Sequence, residues 1–213
     1  MDELDLLKKD WKRKENSFQQ VSEGEIYKMI HKKSSSVVKL ILIISIIEVI
    51  FWAGINLLFT DEKYFNTLKV YHLDLFIKVV TYVGHVVIAA FIYMFYRNFK
   101  TISTTDTVKK LMITIIKTRK TVQYYVWYNL IMFVVIFMIV VIFQFMYDPK
   151  LNVLINKAAQ GANANIFWLV TIMIYVVVFA VSFGLFWLFY RLVYGFLMKK
   201  LYRNYEELKK IDF

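Results

Sequence analysis

One acidic residue stands alone in a long apolar run. Glu48 is the single charged residue in 40–59, with Ser45 one turn before it. A carboxylate held in lipid costs about 2.5 to 3.5 kcal/mol on insertion scales, so such a residue faces protein or water. His85 lies in a second apolar run. Counted from the cytoplasmic boundary of each run, Glu48 is about ten residues deep and His85 about eleven, nearly equal depths at roughly 1.5 Å per residue. The two are therefore expected as an interhelical pair. Its role is either a proton or cation relay, or a neutral carboxyl group hydrogen-bonding two helices together. Asn129 and Ser182, in two further apolar runs, complete the set of intramembrane polar candidates, although small polar residues in such runs more often serve packing. Asp74 and Lys78, spaced i, i+4, are expected to pair within one helix, with the lysine reaching toward an interface. Gly54, Gly84 and Gly184 are expected where helices approach closely.

Other chemistry is not encoded in recognisable form. The three histidines, His31, His72 and His85, fall in different surroundings, and no HExxH or acid at metal-ligand spacing accompanies them. GxSxG, P-loop and GxGxxG fingerprints are absent, and there is no cysteine for a thiolate nucleophile or metal site. The acid pairs Asp61–Glu62 and Glu206–Glu207 are expected to be solvated. No catalytic residue, metal or cofactor is therefore expected, and the chain is not expected to be an enzyme.

These residues need elements to hold them. Of 213 residues, 59% are hydrophobic and 18% aromatic, with a single proline, which is too apolar for an ordinary soluble domain. Four runs, 38–59, 72–96, 123–147 and 164–190, reach the roughly 20 residues needed to cross hydrocarbon as a helix. Thr60, Asp61 and Glu62 end the first and Arg97 the second. Asp148 and Pro149 break the third, because proline lacks a donor. Gln160 to Asn163 make a turn signal before the fourth, and Arg191 meets its end. Of the 27 Lys and Arg residues, 22 fall in 1–39, 97–120 and 191–210. That asymmetry places both termini in the cytoplasm and accounts for the net charge of +11 without nucleic acid. Trp52, Tyr64, Tyr71, Tyr96, Tyr124, Trp127, Trp168 and Tyr190 are expected near headgroups. The expected fold is all-α, a four-helix transmembrane bundle, N-in/C-in, with short amphipathic cytoplasmic helices. About forty polar or mixed residues precede the first run, so no cleaved leader is expected.

The organisation that follows is a cytoplasmic amphipathic segment over 1–37, a four-span domain over 38–190 with a cytoplasmic loop over 97–122, and a cytoplasmic helix over 191–213. Leu4, Leu7 and Trp11 share one helical face near the N-terminus. Ser22 and Glu25 fit a capping box and Val21 and Ile26 a hydrophobic staple, so a helix is expected from about 23 into the first span. Thr105 and Asp106 are expected to cap a helix carrying Val108, Leu111, Ile115 and Val122. Tyr194, Leu197, Leu201, Tyr205, Leu208 and Ile211 form a third stripe. The stripes either pack together or lie on anionic lipid. Leu4, Leu7, Trp11, Leu197, Leu201 and Leu208 are the candidates for binding a partner. The expected function is a non-enzymatic membrane tether or regulator that binds a cytoplasmic or membrane protein through these helices. The alternative is a small ion- or proton-coupled transporter or channel subunit using Glu48 and His85, most naturally a homo-oligomer because four helices enclose little space.

At MDELDLLKKDWKRKE and IYKMIHKKSSSVVKLILIISIIEVIFW the chain resembles a family of small flavobacterial inner-membrane proteins. The resemblance covers about the first quarter of the chain and implies a multi-pass protein of the bacterial cytoplasmic membrane. Similar proteins are encoded beside extracytoplasmic-function sigma factors, which implies an anti-sigma-like regulator or complex subunit. Some carry a carotene oxygenase label. Iron of that kind needs several converging histidines, whereas only His85 lies deep in a span.

Overall fold

In the computed structural model, residues 22–105, 107–159 and 164–210 are described. Helix α1, Glu23–Phe59, opens on the expected capping box. The Ser22 hydroxyl accepts the Glu25 N–H at 3.3 Å, and the Glu25 carboxylate accepts the Ser22 N–H at 3.0 Å. Those hydrogen bonds, the backbone one first, hold the Glu25 carboxyl below its usual range. With its first donors satisfied, the helix runs unbroken into the first apolar run. Then come α2 (Glu62–Val70), α3 (Asp74–Ser103), α4 (Val108–Tyr147), α5 (Pro149–Ala159) and α6 (Ala164–Tyr190). A π-helical turn, Arg191–Gly195, joins α6 to α7 (Phe196–Lys209). Among the described residues there is no strand, so the fold is all-α. Four helical stretches are long and apolar enough to cross a membrane: α1, α3, α4, and α6 with its continuation into α7.

The short helices α2 and α5 were not anticipated, but both have legible starts. Asp61 caps α2, its Oδ1 accepting the Tyr64 N–H at 2.8 Å. Asp148 closes α4 and opens α5, its Oδ1 accepting the N–H of Lys150 at 2.9 Å and of Leu151 at 3.2 Å. Pro149 takes the first position of α5, where its missing N–H costs nothing. The expected break is thus also a beginning. Helix α2 ends in a Schellman motif: the Leu73 N–H reaches the Leu68 carbonyl at 2.9 Å and the His72 N–H the Lys69 carbonyl at 3.0 Å. His72 occupies the left-handed position that glycine usually fills, with φ 54°. Leu68 and Leu73 are both buried beside it. At the other end of the molecule, Thr105 does not cap α4. Its N-cap is Thr107, which makes no side-chain cap bond, while the Thr105 hydroxyl donates back to the Thr101 carbonyl at 2.5 Å. Asp106 lies outside the described residues.

The core is built from heptad-spaced stripes. Buried positions run Ile30, Ser34, Val37, Ile41, Ser45, Glu48 on α1, and Leu111, Ile115, Thr118, Val122, Tyr125 on α4. Phe95, Asn98 and Ile102 follow the same spacing on α3, and Tyr190, Tyr194, Leu197, Leu201, Asn204, Leu208 on the last helix. Steps of three and four keep each set on one helical face. Helix α1 packs against α3 and α7, and α4 against the same two, so the four surround a common interior. The expected stripes of α4 and α7 therefore pack on each other. Leu197 is 4% exposed, and Leu201 and Leu208 are 0% exposed. Their expected role as a docking face is corrected: the chain's own helices cover them, because fully burying a leucine gains about 1.5 to 3 kcal/mol over leaving it in water. Leu4, Leu7 and Trp11 lie outside the described residues, as do Val21 and Ile211.

Two other expectations change. An added Cβ at Gly54, Gly84 or Gly184 would meet nothing within 4 Å, so these glycines do not seat a neighbouring helix. Among the described residues the one ion pair is Arg203–Glu207, at 3.1 Å, so Asp74 and Lys78 do not pair. Asp74 instead begins α3, where an acid complements the helix dipole.

Candidate functional site

Glu48 is 5% exposed, and its carboxyl group gathers three tyrosine hydroxyls. Tyr190 donates to Oε1 at 2.6 Å, while Tyr125 and Tyr194 donate to Oε2 at 2.9 and 2.8 Å. All three tyrosines are buried, at 3, 1 and 0% exposure for Tyr190, Tyr125 and Tyr194. The carboxyl group thus ties α1 to α4 and to the last helix, at Tyr190 just before its π turn and at Tyr194 within it. Oε2 accepts two donors and Oε1 one, of the roughly four acceptor positions that two carboxylate oxygens offer. Tyr125 stands at the centre of the aromatic packing, with Phe91, Phe95, Tyr190 and Tyr194 at centroid distances of 5.4, 5.6, 6.3 and 5.7 Å. Ser45, buried on the same face of α1, donates to the Leu42 carbonyl at 2.8 Å.

Helix pairings fix the axial register of the site. Ser34 meets Asn204 at 3.0 Å, Glu48 meets Tyr190, and Trp52 stacks on Phe186 with centroids 5.4 Å apart. Tyr190 is therefore level with Glu48 and faces the bundle interior, not the outer surface where its expected headgroup position would put it. Arg191 misleads at this point. Its guanidinium lies 4.7 Å over the Trp187 ring, a cation–π contact that lets a cation stay beside an apolar helix. The apolar stretch of the last helix continues past it to Lys199.

Glu48 borders two hollows. One, about 300 Å³, lies among α1, α3, α4 and α6, and is lined by Glu48, Asn56, Thr81, His85, Tyr128 and Asn129 among others. The second, about 500 Å³, is a groove between α1 and α6 walled by Ile44, Ile47, Phe51, Leu185 and Phe189. Trp52 and Phe186 line both hollows, so their stacked rings form the partition between them.

The expected site residues are distributed as follows. Glu48 and His85 line the same cavity at matched register, but neither is the other's hydrogen-bond partner here: His85 Nδ1 contacts the Thr81 carbonyl at 2.6 Å, and its ring is exposed on α3. Asn129 lines that cavity too, its amide donating to the Tyr125 carbonyl at 2.8 Å. Ser182 is half-buried on α6, about two turns from Tyr190. The tyrosines are the residues that sequence reasoning missed. Tyr194 stood in an apolar stripe and Tyr190 in an expected belt, and only pairing across helices reveals their common target.

Away from the span helices, Tyr71 donates to Asp148 Oδ2 at 2.6 Å, tying the α2–α3 turn to the α4–α5 junction. The Tyr71 hydroxyl is pushed up to about 12 by burial first and by its bond to Asp148 second. The Asp148 carboxyl is held below its usual range by that same bond. His72 meets the Tyr147 ring edge-on at 4.7 Å alongside.

Among the described residues no group of three or more His, Cys, Asp or Glu is placed to hold a metal ion. No curated protein and no solved structure matches the sequence. Residues 24–213 match one family, described as "Domain of unknown function (DUF8845)", so the all-helical unit with the Glu48 cluster at its centre belongs to that family.

Proposed function

We propose that this chain is a four-span integral membrane protein, both ends of its described portion on the cytoplasmic side, acting without catalysis as a membrane-embedded regulator. Among the described residues, 17 Lys and Arg fall in 28–39, 97–120 and 191–210 at one end of the bundle and five fall elsewhere, which supports the orientation. The observation that carries the regulatory part is continuity. Tyr190 and Tyr194, which hold Glu48, lie on the same unbroken helical rod as Leu197, Leu201 and Leu208 in the cytoplasmic bundle. A ligand or partner helix that reaches the Glu48 cavity can therefore bias the cytoplasmic end by competing for tyrosine donors. π turns such as Arg191–Gly195 recur at functional sites and supply a place for the rod to adjust. The resemblance to flavobacterial proteins encoded beside sigma factors favours a bacterial inner membrane and a cytoplasmic regulatory partner.

The test is hydrogen exchange on protein in nanodiscs, comparing the native chain with Glu48→Gln. Faster exchange in 196–209, beyond the last tyrosine contact at Tyr194, supports coupling. A change confined to 186–194 refutes it. A second reading, a proton- or cation-coupled transporter subunit, is favoured by the single cavity that Glu48 and His85 share. Proteoliposome flux lost in both Glu48→Gln and His85→Ala would establish it; flux indifferent to both would eliminate that assignment.

A further inference from the structure

We propose a phosphate-headgroup site for an anionic phospholipid on the outer face of α1 at the basic end of the bundle, an inference that rests on the membrane orientation above. Lys32, Ser35, Ser36 and Lys39 are spaced i, i+3, i+4, i+7, so cation, hydroxyl, hydroxyl and cation share one helix face. This face looks away from the buried stripe of Ile30, Ser34, Val37 and Ile41.

Two hollows flank it. Toward α3, one of about 410 Å³ is lined by Lys32, Ser35, Ser36 and Lys39 with Phe99 and Ser103 opposite. Toward α7, one of about 330 Å³ is lined by Lys32, Lys33 and Ser36 with Lys200 opposite. Lys32 and Ser36 form the ridge between them and belong to both. Among the described residues no carboxylate lines either hollow, and none of these lysines has an ion-pair partner. Unpaired cations interleaved with hydroxyl donors suit a phosphate, whose oxygens only accept.

Register selects the lipid over a free anion. Lys39 is the last basic residue before an apolar run that holds no further cation until Lys63. The face from Lys32 to Lys39 is about 10 Å long at 1.5 Å per residue, the scale of a headgroup layer. A headgroup phosphate seated between Lys32 and Lys39 would leave its acyl chains alongside Leu40, Ile43 and Ile47, which are 43, 41 and 57% exposed on α1. Basic pockets between helices on the cytoplasmic side are where such headgroups bind.

The experiment uses the full chain in neutral detergent. Retained lipid is measured by native mass spectrometry during titration with phosphatidylglycerol, phosphatidylcholine or inorganic phosphate. Lys32→Gln/Lys39→Gln should raise the half-saturating phosphatidylglycerol concentration about 30-fold, which corresponds to about 2 kcal/mol at 1.4 kcal/mol per tenfold. Lys109→Gln/Lys110→Gln, an equal charge change on exposed residues of α4, should shift it less than threefold. Equal shifts in the two variants would reduce the effect to diffuse attraction and overturn the site. Phosphatidylcholine binding as tightly, or inorganic phosphate displacing phosphatidylglycerol at matched concentration, would overturn the lipid assignment. Release of the native chain from membranes by alkaline carbonate would instead defeat the membrane orientation, separately from the site.

Discussion

Replacing Tyr190 by phenylalanine should cost more stability than the same change at Tyr125 or Tyr194. Among the described residues Tyr190 is the sole donor to Glu48 Oε1, at 2.6 Å, whereas Tyr125 and Tyr194 share Oε2 at 2.9 and 2.8 Å. Losing Tyr190's hydroxyl leaves a buried acceptor bare, a penalty of about 1 to 3 kcal/mol. Losing either of the others leaves Oε2 with one donor, so the loss is nearer the average of about 0.6 kcal/mol for hydrogen bonds within membranes. The Tyr125→Phe/Tyr194→Phe double variant strips Oε2 and should cost more than the sum of its singles. Glu48→Ala removes the acceptor from three buried hydroxyls and should cost at least about 3 kcal/mol. The assay is thermal unfolding in detergent, where about 1 kcal/mol moves the midpoint roughly 2 to 4 °C for a chain of this size. Tyr190→Phe should therefore lie about 2 to 12 °C below the native chain, with the other singles nearer to it. Equal midpoints for all three singles, or a Glu48→Ala protein as stable as the native one, would refute this account of the cluster.

Three further outcomes follow from the turns and caps. His72→Gly should stabilise by about 1 kcal/mol, because glycine adopts φ 54° without steric cost; equilibrium unfolding measures it. Ser22→Ala should remove about 1 kcal/mol by breaking the capping box, seen as faster amide exchange in the first turn of α1 and not in α3. The Tyr71–Asp148 bond should shape stability at both pH extremes. With Asp148 depressed in the folded state, its contribution is present above about pH 4, the unfolded carboxyl value, and is lost as pH falls below it. With Tyr71 raised to about 12, its contribution holds below pH about 10 and is lost as pH climbs toward 12. In Tyr71→Phe the alkaline loss should vanish and the acid loss shrink, as followed by unfolding across the pH range.

Most of the architecture could be read from spacing. Ser22 and Glu25 mark the start of α1 because a capping box is a local motif, and Leu111, Ile115, Leu197 and Leu201 mark inward faces because heptad spacing is periodic. The site was legible only in part. Glu48 is conspicuous by being charged, but its partners are aromatic residues in a chain with 15 tyrosines, and nothing local distinguishes Tyr125 from Tyr124. Arg191 was taken as the end of the fourth span because charge was the only marker of depth. Its seat over Trp187 depends on a side-chain contact that hydropathy does not encode. The glycines misled for a related reason, since Gly54 and Gly84 face open space and composition says nothing about which way a helix face turns.

The distribution of buried residues leaves the molecule mechanically uneven. From Ile30 to Glu48 on α1, and over the matching lengths of the other helices, side chains interlock, but beyond Leu130 the α4 helix buries nothing fully, and beyond Glu48 neither does α1. The far end is held instead by contacts between pairs of elements, Tyr71 on Asp148 and Phe145 on Trp168 and Tyr175, with no interior shared by all four helices among the described residues. In the membrane placement proposed above, hydrophobic mismatch costs fractions of a kcal/mol per ångström, so a thicker or thinner bilayer would work first on this pairwise-held end and last on the interlocked one.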